Sequence, residues 1–423
     1  MLRTSARLGL FAAVALLVTA AGCSDDDGST GPGTTGTGAG GSGTGGGSGG
    51  SGGTGGSGGS GGAGGTGGLG GEGGAGGSTP LVCDPGYDDC DGDPANGCEV
   101  ELAIDAAHCG ACDNDCNAGS CAAGACVPVT TLATGQDNPS YLAHAGGLIF
   151  WTNFGDDSVV QSAIDGTNTI VLATGENNPA GIAADLTHVF WVNRGTSSQN
   201  DGSIVEAPVD ASMPPVALAI DQPYAWGIAI DDAYVYWTHH EGGGGVRRVQ
   251  RGTAGAGVVE VIATGGVPNG LAVDDTHAYW VSRSTGEVLR AQKDGMGGAP
   301  TVLAAGQTEV RELTVDDTHV YWTTSTATGT VMKLAKDGSG AMMTVATGQA
   351  NPRLVATDAT GVYWANAAGG TVMRAAPSGQ VHAIAAGTPA PWGLAIDETH
   401  VYWTNQTGAS TIQSALKVQA PPL

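Results

Sequence analysis

Aromatic, basic and histidine side chains interrupt a sequence rich in small residues, and they could do chemistry. His239, His240 and Glu241 precede a run of four glycines. Asn193 and Arg194 precede a polar insert. Aromatic rings and fixed charges orient small ligands in proteins, so these residues predict a binding site. The other candidates of these types are Tyr224, Trp226, Glu309, Arg311, Glu312, Arg353 and Trp392.

The sequence offers little for catalysis. Outside its glycine-rich segment it has neither the Gly-x-Ser-x-Gly turn of hydrolases nor the His-Glu-x-x-His motif of zinc proteases. Adjacent residues at a strand end point apart, so His239 and His240 are not expected to act together. We therefore expect a non-enzymatic binding or scaffold domain for a glycan, peptide or protein. A lyase or hydrolase is the alternative.

Cysteines form a second group with chemical potential. Eight of the nine lie within residues 83–126, a segment with almost no aliphatic core. Such a segment needs covalent cross-links or a metal to fold. An even number in an exported chain favours disulfides, although Cys109 and Cys112 also have zinc-ligand spacing, and the pairing stays open. The eight are Cys83, Cys90, Cys98, Cys109, Cys112, Cys116, Cys121 and Cys126.

Three aspartates at alternate positions, Asp89, Asp91 and Asp93, are the candidate metal ligands. Alternating carboxylates occur in calcium-binding loops. An EF-hand would need Gly and Glu where Pro94 and Val100 stand, so that motif is excluded. Two interpretations of the aspartates stay open: they bind a Ca²⁺ ion in another geometry, or they are solvated turn residues. No other cofactor is expected.

A repeated tryptophan predicts the element that must position the binding residues. Intervals of 40, 46, 43, 42, 42 and 39 residues separate its seven copies, which is the length of a four-stranded propeller blade. Short β-branched or apolar runs ending at Gly, Asp or Asn flank each copy and predict the other strands. The seven copies are Trp151, Trp191, Trp237, Trp280, Trp322, Trp364 and Trp403.

The number of strands predicts how the ring closes. The last blade lacks a fourth strand after Val418, whereas TTLATG (130–135) supplies such a strand ahead of the first blade. Pairing the two removes open sheet edges. We therefore predict an all-β, seven-bladed β-propeller over 128–423, closed by its N-terminal strand. The histidines before four of the tryptophan strands are predicted to be turn residues on the face opposite the ligand: His188, His277, His319 and His400.

The repeats LIFWTN, YVYWTH and HVYWTN resemble the YWTD propellers of the low-density lipoprotein receptor family, and more loosely NHL-type propellers. The resemblance covers about residues 128–418 and implies a ring of blades. The chain departs from that family in having seven copies instead of six, and in replacing the Asp after Tyr-Trp-Thr by Asn, His, Ser or Thr. Streptogramin lyases are also seven-bladed propellers. Their dependence on histidines from different blades implies that an adjacent pair in one blade is a poor match.

The N-terminus indicates export and lipid attachment. Arg3 and Arg7 precede a short apolar run, as in a signal peptide spanning residues 1–22. The run ends in Gly22-Cys23, which resembles the bacterial lipobox and implies acylation of Cys23. Residues 23–79, largely Gly, Ser and Thr, predict a disordered, flexible linker.

The predicted location is the bacterial cell envelope. DCDGDPANGCEVEL followed by HCGAC, within the cysteine-rich module 80–127, resembles a motif of surface lipoproteins in myxobacteria and related bacteria. By the sorting rule of enteric bacteria, Ser24 would favour the outer membrane. The protein would then face either the periplasm or the outside of the cell. A net charge of -25 opposes binding to nucleic acid or anionic lipid head groups. The expected partners are the membrane, through lipidated Cys23, and an extracellular or periplasmic ligand.

Overall fold

The computed structural model describes residues 83, 85, 87–90, 98, 100–102, 108–113, 116, 120–122, 125–196, 200–222, 224–240, 243–253, 255, 257–294, 298–407 and 410–417. Outside these residues lie the predicted signal peptide and linker and four predicted site residues, Cys23, Asp91, Asp93 and Glu241. The predictions made for them stay predictions. The described part contains β-strands, and within it no helix is long and apolar enough to span a bilayer.

The cysteine-rich module has two short antiparallel pairs of strands. Strand β1 (Tyr87–Asp88) pairs with β2 (Val100–Glu101), and β3 (Ser120–Ala122) pairs with β4 (Ala125–Val127). Disulfides join Cys83 to Cys98, Cys90 to Cys112 and Cys116 to Cys126, and Cys109 is also disulfide-bonded. The predicted disulfide-rich module is therefore confirmed, and Cys112 is not available to zinc. The side chain of Cys121 is not described.

Seven four-stranded antiparallel sheets form the blades, numbered in the order of their tryptophans. Blades one to three consist of β6 (Pro139–Ala145), β7 (Leu148–Asn153), β8 (Ser158–Ala163) and β9 (Ile170–Thr174); β10 (Pro179–Ala184), β11 (His188–Asn193), β12 (Gly202–Pro208) and β13 (Val216–Gln222); and β14 (Ala225–Ile230), β15 (Tyr234–His239), β16 (Gly245–Gln250) and β17 (Glu260–Thr264).

The other blades repeat this order, apart from the last outer strand. Blades four to six consist of β18 (Pro268–Val273), β19 (His277–Ser282), β20 (Glu287–Gln292) and β21 (Thr301–Ala304); β22 (Val310–Val315), β23 (His319–Thr324), β24 (Gly329–Ala335) and β25 (Met343–Gln349); and β26 (Pro352–Asp358), β27 (Gly361–Asn366), β28 (Thr371–Ala375) and β29 (Val381–Ala385). Blade seven consists of β30 (Pro391–Ile396), β31 (His400–Asn405), β32 (Ile412–Leu416) and β5 (Thr130–Ala133).

The N-terminal strand closes the ring, as predicted. Strand β5 pairs with β32 in the register Thr130 to Ser414 and Thr131 to Gln413. Leu132 is buried in a cluster that includes Trp151 and residues of β31 and β32. The first and last strands of the domain are therefore hydrogen-bonded neighbours, and the prediction of seven blades is confirmed.

The core lies between the blades. All seven repeat tryptophans are buried, with at most 1% of their surface exposed. Each pairs in register with an aliphatic residue of its own first strand, for example Trp191 with Ile182 and Trp403 with Leu394. Burial of this ring of indoles and aliphatic side chains supplies the main driving force for closing the propeller.

A threonine after the tryptophan bonds neighbouring blades. Thr238 Oγ1 accepts from the backbone N–H of Gly227 at 2.8 Å and donates to the carbonyl of Asn269, in the next blade, at 3.0 Å. Glycine is required in this first strand, because a Cβ on Gly227 would lie 2.7 Å from the Asn269 carbonyl oxygen.

The same threonine bond occurs at two other boundaries. Thr323 donates to the Arg353 carbonyl between blades five and six. Thr404 Oγ1 accepts from Gly393 and donates to the Ser140 carbonyl, so it crosses from blade seven to blade one. Blades two, four and six carry Val192, Val281 and Ala365 at this position, which cannot make the bond.

Aspartate turns and ion pairs connect blades at the opposite face. Asp397 accepts the backbone N–H groups of Thr399 and His400 and the hydroxyl of Tyr402, as expected for a turn. At equivalent turns, a basic residue from the next blade pairs with the aspartate. These pairs are Arg251 with Asp185, Lys293 with Asp231, Lys336 with Asp274, and Lys417 with Asp358.

Candidate functional site

Each blade contributes two side chains to one end of the central channel, which we call the channel mouth. The first comes from position W−11, the second residue of the innermost strand, eleven residues before the repeat tryptophan. The second comes from position W+3, just after the tryptophan strand. In all seven blades the W+3 backbone N–H donates to the carbonyl of residue W−13, at 2.9 to 3.3 Å, so one backbone bond holds the two positions beside each other.

These two positions vary in residue type while the tryptophan does not. The W−11 residues are Ser140, Ala180, Trp226, Asn269, Arg311, Arg353 and Trp392. The W+3 residues are Phe154, Arg194, His240, Arg283, Ser325, Ala367 and Gln406. The frame is therefore constant and the side chains presented on it differ from blade to blade.

Arg194 of blade two is held by aromatic rings. Its guanidinium carbon lies 4.6 Å from the ring centre of Tyr224, 4.9 Å from that of Trp226 and 5.2 Å from that of Phe154. These rings come from blades one and three, and each contact is in the range of a cation–π interaction. The arginine is thus fixed between three blades.

His240 continues this cluster. Its ring stacks on Trp226, with centres 5.0 Å apart and planes 16° apart, and lies 5.4 Å from Tyr224. Burial lowers the pKa of His240 to about 4, and the charge of Arg194 acts in the same direction. His240 is therefore neutral at physiological pH.

An acidic and basic group forms the other side of the mouth. Glu309 Oε2 lies 3.5 Å from Nε of Arg283 and 3.7 Å from Nη2 of Arg311. Glu312 is 3% exposed, and burial raises its pKa well above the usual value although Arg311 and Arg353 oppose that shift. Gly270 makes room for Glu312, because a Cβ there would lie 2.5 Å from Oε2 of the carboxyl group.

Arg353 of blade six lies on an indole of blade seven. Its guanidinium carbon is 4.0 Å from the ring centre of Trp392, which is 4% exposed. The arrangement repeats that of Arg194 on the opposite part of the ring, with a different pair of blades. Two arginines at the mouth are therefore positioned by aromatic faces.

Several buried polar atoms at the mouth lack a hydrogen-bond partner within the described part of the chain. They are Trp226 Nε1, His240 Nε2, Glu312 Oε1 and Trp392 Nε1. Such atoms are uncommon in folded proteins, because burying a polar group without a partner is costly. Atoms of this kind also occur elsewhere in the blades, for example Trp237 Nε1 and Trp403 Nε1. The four at the mouth come from blades three, five and seven and lie at one end of the channel, where water or a ligand can supply the missing bonds.

The structure brings most of the predicted binding residues together. Arg194, Tyr224, Trp226 and His240 form one cluster; Glu309, Arg311, Arg353 and Trp392 lie on the other side of the mouth.

Two predicted residues have other surroundings. Asn193 donates to Ser203 Oγ of blade two and to Glu176 Oε2 in the segment between β9 and β10, which also accepts from the Trp191 indole, so it fixes the connection between blades one and two. His239 is a buried residue at the end of β15, in register with Ala225.

Sequence reasoning missed Phe154 and Arg283. Both occupy the W+3 position, in blades one and four. Aligning the repeats on their tryptophans and comparing this position would have found them, since Arg194 and His240 occupy it in blades two and three.

Two shallow cavities lie on the outer rim, away from the mouth. Their volumes are about 420 and 380 Å³, and both are lined by Val171, Leu172 and Pro215. Glu176 is the charged residue that lines the larger one, and it already accepts the bonds from Trp191 and Asn193. The rim thus lacks the convergent polar groups of the mouth.

Comparison with known proteins identifies the fold. No family model matches the chain, and no curated protein is similar enough to count as a match. The virginiamycin B lyase of Staphylococcus aureus superposes with a TM-score of 0.55 at 12% identity, over 69% of this chain and 99% of that one. A streptogramin B lyase gives 0.55 at 10% identity, over 68% and 97%. A chain of a nidogen/laminin complex gives 0.42 at 21% identity, over 49% and 83%. At 12% and 10% identity, the likeness to the two lyases shows the propeller fold alone.

Proposed function

We propose that this protein is a lipid-anchored binding protein of the bacterial cell envelope, whose channel mouth holds a small ligand without converting it. The observation that carries the proposal is the group of buried polar atoms at the mouth, contributed by different blades and lacking partners within the described residues. A bound ligand that supplies those hydrogen bonds would recover their desolvation cost.

The surroundings of the histidine favour binding over catalysis. Nε2 of His240 is covered, and its ring lies against Trp226 and Tyr224. A general base must reach the proton that it removes, to within about 3 Å. His240 serves instead as part of the wall that positions Arg194.

The N-terminal sequence supports the proposed anchoring. Acylation of Cys23 would attach three acyl chains, which is above the two signals that stable anchoring requires. The linker that follows has a fully extended reach of roughly 170 Å for about 50 residues. The propeller would therefore sample a wide volume around its point of attachment, at the outer membrane and facing the periplasm or the outside.

A saccharide, peptidoglycan and peptide array tests this function, probed with full-length protein made lipid-free by Cys23→Ser. The variant Trp392→Leu removes an indole that faces Arg353 and should abolish capture of any true ligand. Met213→Ala is the matched control, because Met213 is 62% exposed and lines the rim cavity. Capture that Trp392→Leu leaves intact would place the binding site elsewhere.

A lyase is the second candidate function, and one observation favours it. Burial lowers the pKa of His240 to about 4 and raises that of Glu312 well above its usual value, so two titratable groups at the same mouth have pKa values displaced in opposite directions. Such a pair can serve as base and acid. Turnover of quinupristin, which is bound in one structure of the virginiamycin B lyase, would support this candidate if it were lost on replacing His239 and His240 by alanine.

A further inference from the structure

We infer that a groove on the outer rim, between blades one and two, is a docking site for an extended peptide segment of another protein that carries a lysine or arginine. We call it the rim groove and define it by the two cavities along β9, which share Val171, Leu172 and Pro215. It is separate from the channel mouth and goes beyond the proposed function.

At two other boundaries the chain itself covers the outer strand. There, the connection between the third and fourth strands of one blade packs on the outer strand of the blade before it. Between blades two and three, the backbone N–H of Gly255 donates to the Ala217 carbonyl of β13 at 2.8 Å. Between blades seven and one, a Cβ on Gly166 would lie 2.8 Å from the Leu132 carbonyl oxygen of β5. At both boundaries, polypeptide backbone therefore occupies this place.

Between blades one and two the same place is a groove. Strand β9 is the last strand of its sheet and pairs with β8. The equivalent connection, residues 209–215, makes no backbone hydrogen bond to β9 among the described residues. It ends in Pro214 and Pro215, which have no N–H to donate. The outer edge of β9 can therefore accept an added strand, a mode of recognition in which backbone hydrogen bonds hold the peptide.

Apolar side chains line the groove on both sides. Val171 of β9 is 57% exposed, and Met213 of the facing connection is 62% exposed. A bound strand would cover this apolar surface, which stabilises the complex. Successive side chains of a strand point to opposite faces, so the peptide should carry apolar residues at alternate positions.

Glu176 sets the charge that the groove prefers. It is the charged residue lining the larger cavity, and its Oε2 accepts from the indole of Trp191. Glutamine makes the same bond in blades one, five and six, so that bond does not require a carboxylate. No lysine or arginine is among the residues that line either cavity. A basic side chain of the peptide would supply the opposite charge and a charge-assisted hydrogen bond.

Fluorescence anisotropy with labelled heptapeptides tests the inference, using the full chain made lipid-free by Cys23→Ser. The peptides alternate valine and serine and carry lysine or glutamate at the first or the last position. We expect saturable binding of a lysine peptide and about 10-fold weaker binding of the matching glutamate peptide. Methylating the backbone nitrogens of the lysine peptide should abolish binding, because strand addition needs its N–H groups.

Two variants locate the peptide on the protein. Glu176→Gln keeps an acceptor for the indole, as in blade five, and should weaken binding of the lysine peptide about 10-fold. Val171→Ser should weaken it about fivefold, because it removes apolar surface that the peptide covers. Val302→Ser is the matched control and should bind like the unaltered protein. Val302 is 47% exposed and holds the equivalent position in the outer strand of blade four.

Three results would overturn the rim groove. They are the absence of saturable binding of either lysine peptide, unchanged binding after methylation, and equal affinities of Val171→Ser and Val302→Ser. A dimer in sedimentation that Val171→Ser dissociates would also reject a peptide of another protein, because a second copy would then occupy the groove.

The mouth and the groove fail separately. Because the groove is a second site, Trp392→Leu should retain the heptapeptide while it loses the ligands of the mouth. A heptapeptide that Trp392→Leu loses and Val171→Ser retains would be a ligand of the mouth, which supports the proposed function and rejects the groove. Saccharide capture that depends on Trp392 would support the mouth even if no heptapeptide bound.

Discussion

At the scale of single residues, the backbone is strained where the mouth needs particular side chains. Position W−13 has positive φ in six blades, and Asn, which tolerates it, stands there three times, at Asn138, Asn178 and Asn351. Tyr224 and Glu309 hold φ values of 46° and 49° at the same position. Left-handed backbone costs an ordinary residue about 1–2 kcal/mol. Tyr224 covers Arg194 and Glu309 bridges two arginines, so strain coincides with contribution to the site.

His240 makes stability depend on pH in a predictable direction. Its folded pKa of about 4 lies below the ordinary 6.5, so between these values the unfolded chain binds a proton that the folded one refuses. Stability therefore falls as pH drops through this window, by at most about 3 kcal/mol from this residue. Replacing it in His240→Gln should remove that part of the slope, measured as urea midpoints at pH 7 and pH 4.5.

The control for this measurement is Met213→Ala, at an exposed side chain that does not titrate. It should keep the slope of the unaltered protein. Parallel pH profiles for the protein and His240→Gln would contradict the buried, neutral state of the His240 ring.

The sequence alone reveals which residues of the site depart from the repeat. It does not reveal which other side chains they contact. Trp226, Arg353 and Trp392 were found because they depart from small residues at their position. That Arg353 stacks on Trp392, 39 positions later, depends on how adjacent blades are rotated about the ring. Asn193 was selected for the same reason as Arg194, but its bonds go to Ser203 of its own blade and to Glu176 in the segment between β9 and β10.

At the scale of strands, the boundaries between blades decide which residues the mouth can present. The first strand of each blade has an irregular register between its first and fourth residues, for example between Pro352 and Val355. The W−11 residue lies inside this irregularity and is freed from strict pairing. At this point a threonine hydroxyl of the neighbouring blade donates a hydrogen bond to the backbone, as Thr323 does to the carbonyl of Arg353.

Thr404→Val tests the contribution of that bond at the closure. The change keeps the volume but leaves the buried N–H of Gly393 and the carbonyl of Ser140 without the hydroxyl that joins them. We expect a loss of about 1–3 kcal/mol in the free energy of unfolding, measured by urea denaturation. Thr407→Val, at an exposed residue of the same blade, should change it little. Equal midpoints for the two variants would mean that the bond is replaced by water.

The strands themselves could be predicted because each carries a local signal. The fourth strand of the last blade was assigned to TTLATG by counting, and β5 lies there. The register irregularity could not be predicted, because it depends on how close Gly227 or Gly393 comes to the next blade, a tertiary contact with no local pattern.

At the scale of the molecule, the described part of the cysteine-rich module contacts the propeller at blade six. Strand β3 contacts β29, the outer strand of blade six. The module leads directly into β5, which completes blade seven. The chain therefore enters the ring at its rim, away from the residues of the mouth.

The Cys23→Ser variant tests the anchor. Without the thiol no lipid can be attached, and we expect the protein to move from the detergent-rich to the aqueous phase on phase separation, since each buried CH₂ contributes about 0.8 kcal/mol to membrane attachment. Ser24→Asp is the matched control: it alters the sorting position and leaves the cysteine, so that variant should stay in the detergent. If both variants stayed in the detergent-rich phase, a segment other than lipidated Cys23 would attach the protein to the membrane.

Two kinds of bond between blades lie mostly at different boundaries of the ring. Ion pairs join blades two to three, three to four, four to five and six to seven, whereas threonine bonds join three to four, five to six and seven to one. Concentrated salt screens the first kind and spares the second. In brine the boundaries between blades two and three, four and five, and six and seven would thus lose their side-chain bond, while the buried indoles continue to hold the ring together. The threonine bond between blades seven and one, where the first and last strands of the domain meet, would remain.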